Sequence, residues 1–417
     1  MEQLPNLGGL KLRCEAPTGM PATLRSNNAP LTELLGRASY GDDEATRTEA
    51  LQTLRDMADG EEEEQRRFYS TPGVEVLSRL ARDFRDEEGL EALHALGFLV
   101  QIPNITDDEV QILIRHAVPA CAQVLRASLE SALRKSYAAW VMSKMVRVNK
   151  HALYTALQGE NVQGELAAMV RDGLSNAKIH AVTVLGHLAR EDGQAEQAIR
   201  TEVRESGTIP AIVAMLREDA PSMETDNAAY AIATLTAYHN HESKAAARTA
   251  GAFEALTTLA REGTDAGKHN AIKALHQLAI ERPANDEFAN SGGLNATIQL
   301  LRNGTLEQKQ QAVHLFLDML ETPSTPDQTV FRFHQAGLAE ALVRAVRDGV
   351  DLFNSIDTLN ELAQRDGLYA TGIRLAGGIP LLLDQFRDGP NANQGMAMNT
   401  LVQVEVGDNN GALREAG

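Results

Sequence analysis

A chain of 417 residues is too long for one compact core and would ordinarily divide into two or three domains. Hydrophobic residues at 43%, charged at 23% and aromatics at only 4%, with alanine and leucine abundant, favour helices over sheets. A net charge of −18 disfavours a general nucleic-acid binder, Cys14 and Cys121 alone give no disulfide or metal framework, and no apolar run of about 18 residues is present to span a membrane.

The chain opens Met1-Glu2-Gln3-Leu4-Pro5, without a basic region followed by an apolar run, and Glu2 is incompatible with N-myristoylation. The expectation is a cytoplasmic chain, with the nucleus open as a second location. Asn-X-Ser/Thr sequons at Asn104, Asn295 and Asn303 then read as chance matches. Residues 1–28, with "NLGG", "APTG" and "SNNAP", predict a poorly ordered arm or an irregular cap.

From residue 29 onward apolar-periodic runs end in an arginine: Arg37, Arg82, Arg126, Arg171, Arg217, Arg261, Arg302, Arg347 and Arg387. Successive separations are 45, 44, 45, 46, 44, 41, 45 and 40 residues, a period that predicts a repeat architecture. A cation in the last helical turn complements the negative end of the helix dipole. A glycine two residues later, as in "RDG" at 171–173 or "RNG" at 302–304, predicts a helix that ends on a left-handed residue.

One unit shows the pattern in full. "KAAARTAG" (244–251) predicts a short helix, "AFEALTTLAREG" (252–263) a second, and "TDAGKHNAIKALHQLAIERP" (264–283) a longer third. Phe253, Leu256 and Leu259 share one face of the second helix; Ala271, Leu275, Leu278 and Ala279 share one of the third, which Thr264-Asp265 caps and Pro283 stops. Three more such triplets follow, from 286 to 321, 328 to 367 and 369 to 405. A glycine between first and second helices, at Gly207, Gly251, Gly292, Gly337 and Gly377, lets them meet at a sharp angle, and Pro210 and Pro380 sit in the first turn beyond it.

Stretches such as "SGTIPAIVAMLRED", "SGGLNATIQLLRNGT" and "AGGIPLLLDQFRDG" resemble the armadillo repeat. The likeness is good from about residue 160 and in register from 29 to 159, where "GLEALHALGFLV" and "KSYAAWVMSKMV" look like third helices. The resemblance implies an all-α chain: a right-handed α-solenoid of about nine armadillo-type three-helix repeats over residues 29–417. It implies a non-enzymatic protein-binding scaffold or adaptor whose third helices line a concave groove for an extended peptide or a partner protein. A cargo adaptor in nuclear transport, or a regulatory or substrate-recruiting subunit of an enzyme complex, would use the same groove. No phosphate-binding loop, nucleophile elbow, paired-cysteine or zinc-protease motif occurs, so no catalytic residue, metal or cofactor is expected.

Aligning the third helices gives pairs four residues apart facing the groove: Gln52/Asp56, His94/Phe98, Trp140/Lys144, Thr183/His187, Tyr230/Thr234, Lys273/Gln277, His314/Asp318, Asp357/Glu361 and Asn399/Gln403. Nuclear-import adaptors of this family carry Trp at the first position and Asn at the second. Only Trp140 matches, and that function is not carried over. Two readings of Trp140 stand open: a buried core indole, or an aromatic anchor flanked by Arg134, Lys135, Lys144, Arg147 and Lys150 and suited to an acidic or aromatic peptide. Charge then inverts: no lysine follows Lys309, and Asp318, Asp357 and Glu361 suit a basic segment. His276 is predicted away from the row. "HNHE" at 239–242 lies in a loop without partner cysteines, and "EEEEQRR" at 61–67 reads as the start of an exposed helix. Residues 408–417 look like the first helix of a truncated further repeat, leaving Leu401, Val402 and Val404 as an uncapped face. The chain is therefore expected to be a fragment, or to have that end covered by a partner or by self-association.

Overall fold

The computed structural model describes residues 31–416 apart from 128–130, 158–161, 174, 190–193, 218–221, 238–239, 281–283, 322–326 and 366; the expected arm at 1–28, Pro283 and His239 lie outside the described residues. Among the described residues there are helices and no strands.

The unit read above folds as His241–Thr249, Ala252–Glu262 and Asp265–Ala279. Asn240 caps the first helix by accepting from the Ser243 N–H, which gives part of "HNHE" a structural role. Thr264 caps the third, accepting from the Gly267 N–H at 2.9 Å. Phe253, Leu256 and Leu259 are buried on the second helix, and Ala271, Leu275, Leu278 and Ala279 on the third. The following triplets are Ala284–Asn290, Gly293–Asn303 and Leu306–Glu321; Asp327–Gln335, Leu338–Arg347 and Leu352–Arg365; Gly367–Leu375, Gly378–Asp388 and Asn391–Ala416.

Towards the N-terminus the helices are Leu31–Tyr40 and Glu44–Ala58; Glu62–Ser70, Gly73–Asp83 and Glu87–Leu99; Asp107–Arg126 and Ala132–Val148; Lys150–Leu157, Gln163–Asp172 and Ser175–Leu188; and Gln194–Glu205, Thr208–Met215 and Met223–Leu235. Where "HAVPACAQVLR" carries no kink glycine, first and second helices merge into the single helix Asp107–Arg126 with Pro119 inside it. In the helix Glu62–Ser70, Arg66 and Arg67 pair with Glu62 and Glu63 one turn back, and Arg66 also reaches Glu109 at 2.6 Å.

Each third helix packs on the third helix of the next unit, from Glu44–Ala58 through to Asn391–Ala416. Buried side chains of all units join into one continuous core. The result is a helical, repeat-like architecture, compatible with an α-solenoid.

Glycine does two different jobs here. Gly207, Gly251, Gly292, Gly337 and Gly377 all have φ between 70° and 82°, the left-handed region, and sit as N-caps of the second helices. The glycines after the arginines depart from expectation: Gly263, Gly304 and Gly389 are extended, with φ of −69°, −74° and −75°, and only Gly349 among them is left-handed. Their constraint is space. A Cβ on Gly263 or Gly304 would lie 2.5 Å from the carbonyl oxygen of Leu259 or Leu300, the oxygen that the glycine N–H itself engages.

The arginines also do more than face a dipole. Arg171 donates to the Ser206 carbonyl at 2.7 Å, Arg217 to Ala250 at 2.8 Å, Arg302 to Gly337 at 3.1 Å and Arg347 to Ala376 at 3.4 Å. Each ties the end of one unit's second helix to the kink of the next, where orphan carbonyls need donors.

Residues 407–416 continue the helix Asn391–Ala416 without the break that a separate first helix would show. On that helix Val402 is 44% exposed and Leu401 half-buried, but Val404, expected on the open face, is buried.

Candidate partner-binding face

The third helices present their row side by side because each packs on the next. Gln52, Asp56, His94, Phe98, Trp140, Lys144, His187, Tyr230, Lys273, Gln277, His314, Asp318, Asp357, Glu361 and Gln403 are half-buried, and Asn399 is exposed. Thr183 and Thr234, expected to face the groove, do not. Both are buried, and each hydroxyl back-bonds to its own helix, Thr183 to the Ile179 carbonyl and Thr234 to those of Tyr230 and Ala231.

Trp140 is half-buried, so it meets neither reading in full. Its indole makes edge contacts with His94 at 5.5 Å, Phe98 at 5.8 Å and Tyr137 at 5.9 Å between centroids, while His94 stacks on Phe98 at 4.8 Å. Such packing favours edge-to-face pairs because the ring face is negative and the edge positive. A Cβ on Gly97 would overlap the Trp140 ring, so this glycine is the notch in which the indole sits. The Lys144 ammonium lies 5.9 Å from the indole centroid. Burial, with a smaller contribution from Arg55, pushes the His94 ring down to about 4, leaving a neutral imidazole at physiological pH. Burial, with Lys144 and Arg147, does the same to His180.

The expected crowd of cations around Trp140 disperses. Arg134 is buried and donates to the Ala81 carbonyl, Lys135 pairs with Glu165 at 3.4 Å, and only Lys144 and the exposed Arg147 remain as row-side cations; the side chain of Lys150 is outside the described residues. Helical spacing alone did not separate the side of Ala132–Val148 from which Arg134 reaches the Ala81 carbonyl from the one that carries Trp140.

Histidine bridges link successive third helices. The Tyr230 hydroxyl lies 3.1 Å from His187 Nδ1. His276 Nε2 donates to Asp318 Oδ2 at 2.7 Å, so His276 lies beside the row rather than away from it. His314 Nε2 donates to Asp351 Oδ2 at 2.7 Å, and Asn354 donates to the same oxygen at 3.0 Å. His276, Asp351, Asn354 and Tyr137 were not legible as row neighbours, because each contact is made across helices about 40 residues apart; the glycine in "LGF" at 96–98 was the one local signal of the aromatic cluster.

Farther on, Asp357 and Glu361 are lifted above the usual carboxylate range, chiefly by burial, and Asp357 lifts Glu361 further. Among the described residues no group of three or more His, Cys, Asp or Glu gathers as metal ligands. Cys121 is buried, which pushes its thiol up to about 12 and leaves it inert as a nucleophile. No described helix is long and apolar enough to cross a membrane.

No family model matches the chain, and no curated protein matches it. Solved structures do. One engineered protein from the Northeast Structural Genomics Consortium is similar over 90% of this chain and 98% of its own, with a TM-score of 0.69 at 20% identity. A second engineered protein from the same consortium covers 59% of this chain and 98% of its own, with a TM-score of 0.53 at 21% identity. At such identities the likeness is one of fold alone: the chain shares an all-helical fold with two engineered proteins.

Proposed function

We propose that the chain is a non-enzymatic protein-binding scaffold or adaptor. It is a right-handed α-solenoid of about nine armadillo-type three-helix units, whose third helices line a concave groove for an extended peptide or partner protein. The observation that carries this is the unbroken succession of third helices, each packed on the next, bearing a row of half-buried polar and aromatic side chains. Such a row keeps its polar ends in water until a partner replaces that water with hydrogen bonds and apolar contact.

The test uses the intact chain as bait beside a variant carrying Trp140→Ala, Lys144→Ala and Tyr230→Ala, with circular dichroism to confirm folding. A partner captured by the parent and lost by a folded variant supports the reading. A partner held equally by both, and lost on changes to exposed second-helix residues such as Glu254 and Gln299, places binding elsewhere.

A further inference from the structure

In the units before the last, the side of the third helix that meets the next unit is closed. Ile272, Val313 and Ile356 occupy one equivalent position there and are fully buried, while Leu317 and Asn360 occupy another at 7% and 6% exposure. The following third helix packs over each of them. On Asn391–Ala416 the same two positions hold Met398 and Val402, which are 46% and 44% exposed. The second helices repeat the contrast. The residue before the recurring arginine is buried at Ala260, Leu301 and Val346, but Phe386 is 42% exposed. Among the described residues no element stands over this face.

Charge and shape indicate what fits it. The chain carries a net charge of −18, so most of its surface repels a second copy. This face does not: from Asn391 to Glu405 the only ionisable side chain is Glu405, and the first turn holds no acidic residue. Gly395 adds a notch. Gly97 and Gly186, on earlier third helices, are notches filled by the next third helix, the first by the Trp140 ring and the second by Ala231. At Gly395 no described atom lies within 4 Å of where a Cβ would stand. Asn391, Gly395, Met398, Val402 and Glu405 follow at intervals of four and three residues, the spacing of a seam between two packed helices. Turned antiparallel about a two-fold axis beside Met398, two such helices set Val402 of each over Gly395 of the other and Met398 against its mate. Glu405 then lies by the first turn of the opposite helix, whose free N–H groups and positive dipole end have no acidic residue of their own.

We propose that this face is a homodimer interface, covered by a second copy of the chain related by a two-fold axis, with Val402 seated in the notch at Gly395. Because the face is complementary to itself, association closes at two copies. The proposal is independent of the groove reading.

One helix face and one phenylalanine make a small interface, so a Kd on the order of 10 µM is expected. Sedimentation velocity of the intact chain, from about 1 to about 200 µM, should show a reversible monomer–dimer equilibrium. Met398→Glu and Val402→Glu should each weaken it roughly tenfold or more. Phe331→Glu, at an exposed aromatic on a first helix away from this face, should leave it unchanged. Gly395→Leu separates binding from folding: filling the notch should weaken dimerisation roughly tenfold, yet the monomer should melt no lower, because leucine is the better helix former. In a Cys14→Ser background under mild oxidation, Met398→Cys should give a disulfide-linked dimer. Ala392→Cys should not, since antiparallel pairing holds its two copies roughly 20 Å apart. A monomer at every concentration, assembly that runs past dimers, indifference to both glutamate variants, or cross-linking through Ala392→Cys alone overturns the interface. None of these outcomes bears on the groove.

Discussion

Glycine inside a helix costs up to about 1 kcal/mol relative to alanine, so Gly97 in the last turn of Glu87–Leu99 needs a reason. The reason is the Trp140 ring lying over its Cα. Gly97→Ala should therefore destabilise by roughly 1–3 kcal/mol, an overpacking cost, and Trp140→Ala by about 3 kcal/mol, the low end for a half-exposed indole. Because both act on one contact, the double variant should cost clearly less than the sum, and chemical denaturation of the four proteins tests this. His94 and His180 make the same region sensitive to acid. The unfolded chain takes up those protons near pH 6.5, whereas the folded one resists until about 4, so stability falls as pH drops through that window. His94→Phe should flatten the slope of Tm against pH between 6.5 and 4. Asp357 and Glu361 act in the opposite direction. Their raised carboxyls bind protons more readily folded than unfolded, so this pair costs stability at neutral pH and the cost is relieved on acidification. Asp357→Asn with Glu361→Gln should raise Tm at pH 7, which separates a binding cost from a structural ion pair, whose loss would lower it.

At the scale of the element, two similar-looking glycines make opposite predictions. Gly292 is left-handed with open space around it, since a Cβ would meet only Thr257 at 3.7 Å. Asparagine tolerates that conformation better than a β-branched residue, so Gly292→Asn should be mild while Gly292→Val costs roughly 1–2 kcal/mol or more. Gly304 has an ordinary φ but no room beside the Leu300 carbonyl, so asparagine gives no relief there and Gly304→Asn should cost as much as Gly304→Ala. Equal tolerance of asparagine at both sites in thermal melts would contradict this division. The recurring arginine joins elements rather than ending one. Arg217→Met keeps most of the aliphatic stem but removes the donor to Ala250, and should cost about 1–2 kcal/mol, more than the few tenths expected from the dipole of an exposed helix end.

At the scale of the whole molecule, contacts run from each unit to its neighbours, so one continuous core forms without chain ends having to meet. A compact sphere of this length would have a radius of gyration of about 22 Å. The proposed solenoid is longer, on the order of 80 Å end to end from about nine packed helix layers, and small-angle scattering should give a radius well above the compact value. A compact radius would refute the proposed shape while leaving the helices intact. Neighbour-only packing also implies graded unfolding. A cavity such as Leu275→Ala, with a cost of roughly 2–5 kcal/mol, should raise hydrogen exchange most in its own and adjoining units and least at the far end.

Much of this was legible in the residues themselves, because helix period, kink glycine and capping threonine are local signals acting within a few residues. The triplet from His241 to Ala279 follows its sequence pattern helix for helix, although the first helix starts at His241 rather than at Lys244 and so takes in half of the expected loop at 239–242, and the kink glycines adopt the backbone that only glycine accepts cheaply. The composition and repeat period likewise determined an all-helical chain. The tertiary structure decided what depends on contacts between units. It buried Thr183 and Thr234, turned Arg134 into the core, drew His276 to Asp318 and set Trp140 into the notch at Gly97. Among the described residues it also left Asp357, Glu361 and Asn360 Oδ1 without a hydrogen-bond donor. Spacing specifies which face of its own helix a residue occupies; what stands opposite that face is set by a neighbour some 40 residues away, and only packing brings the two together.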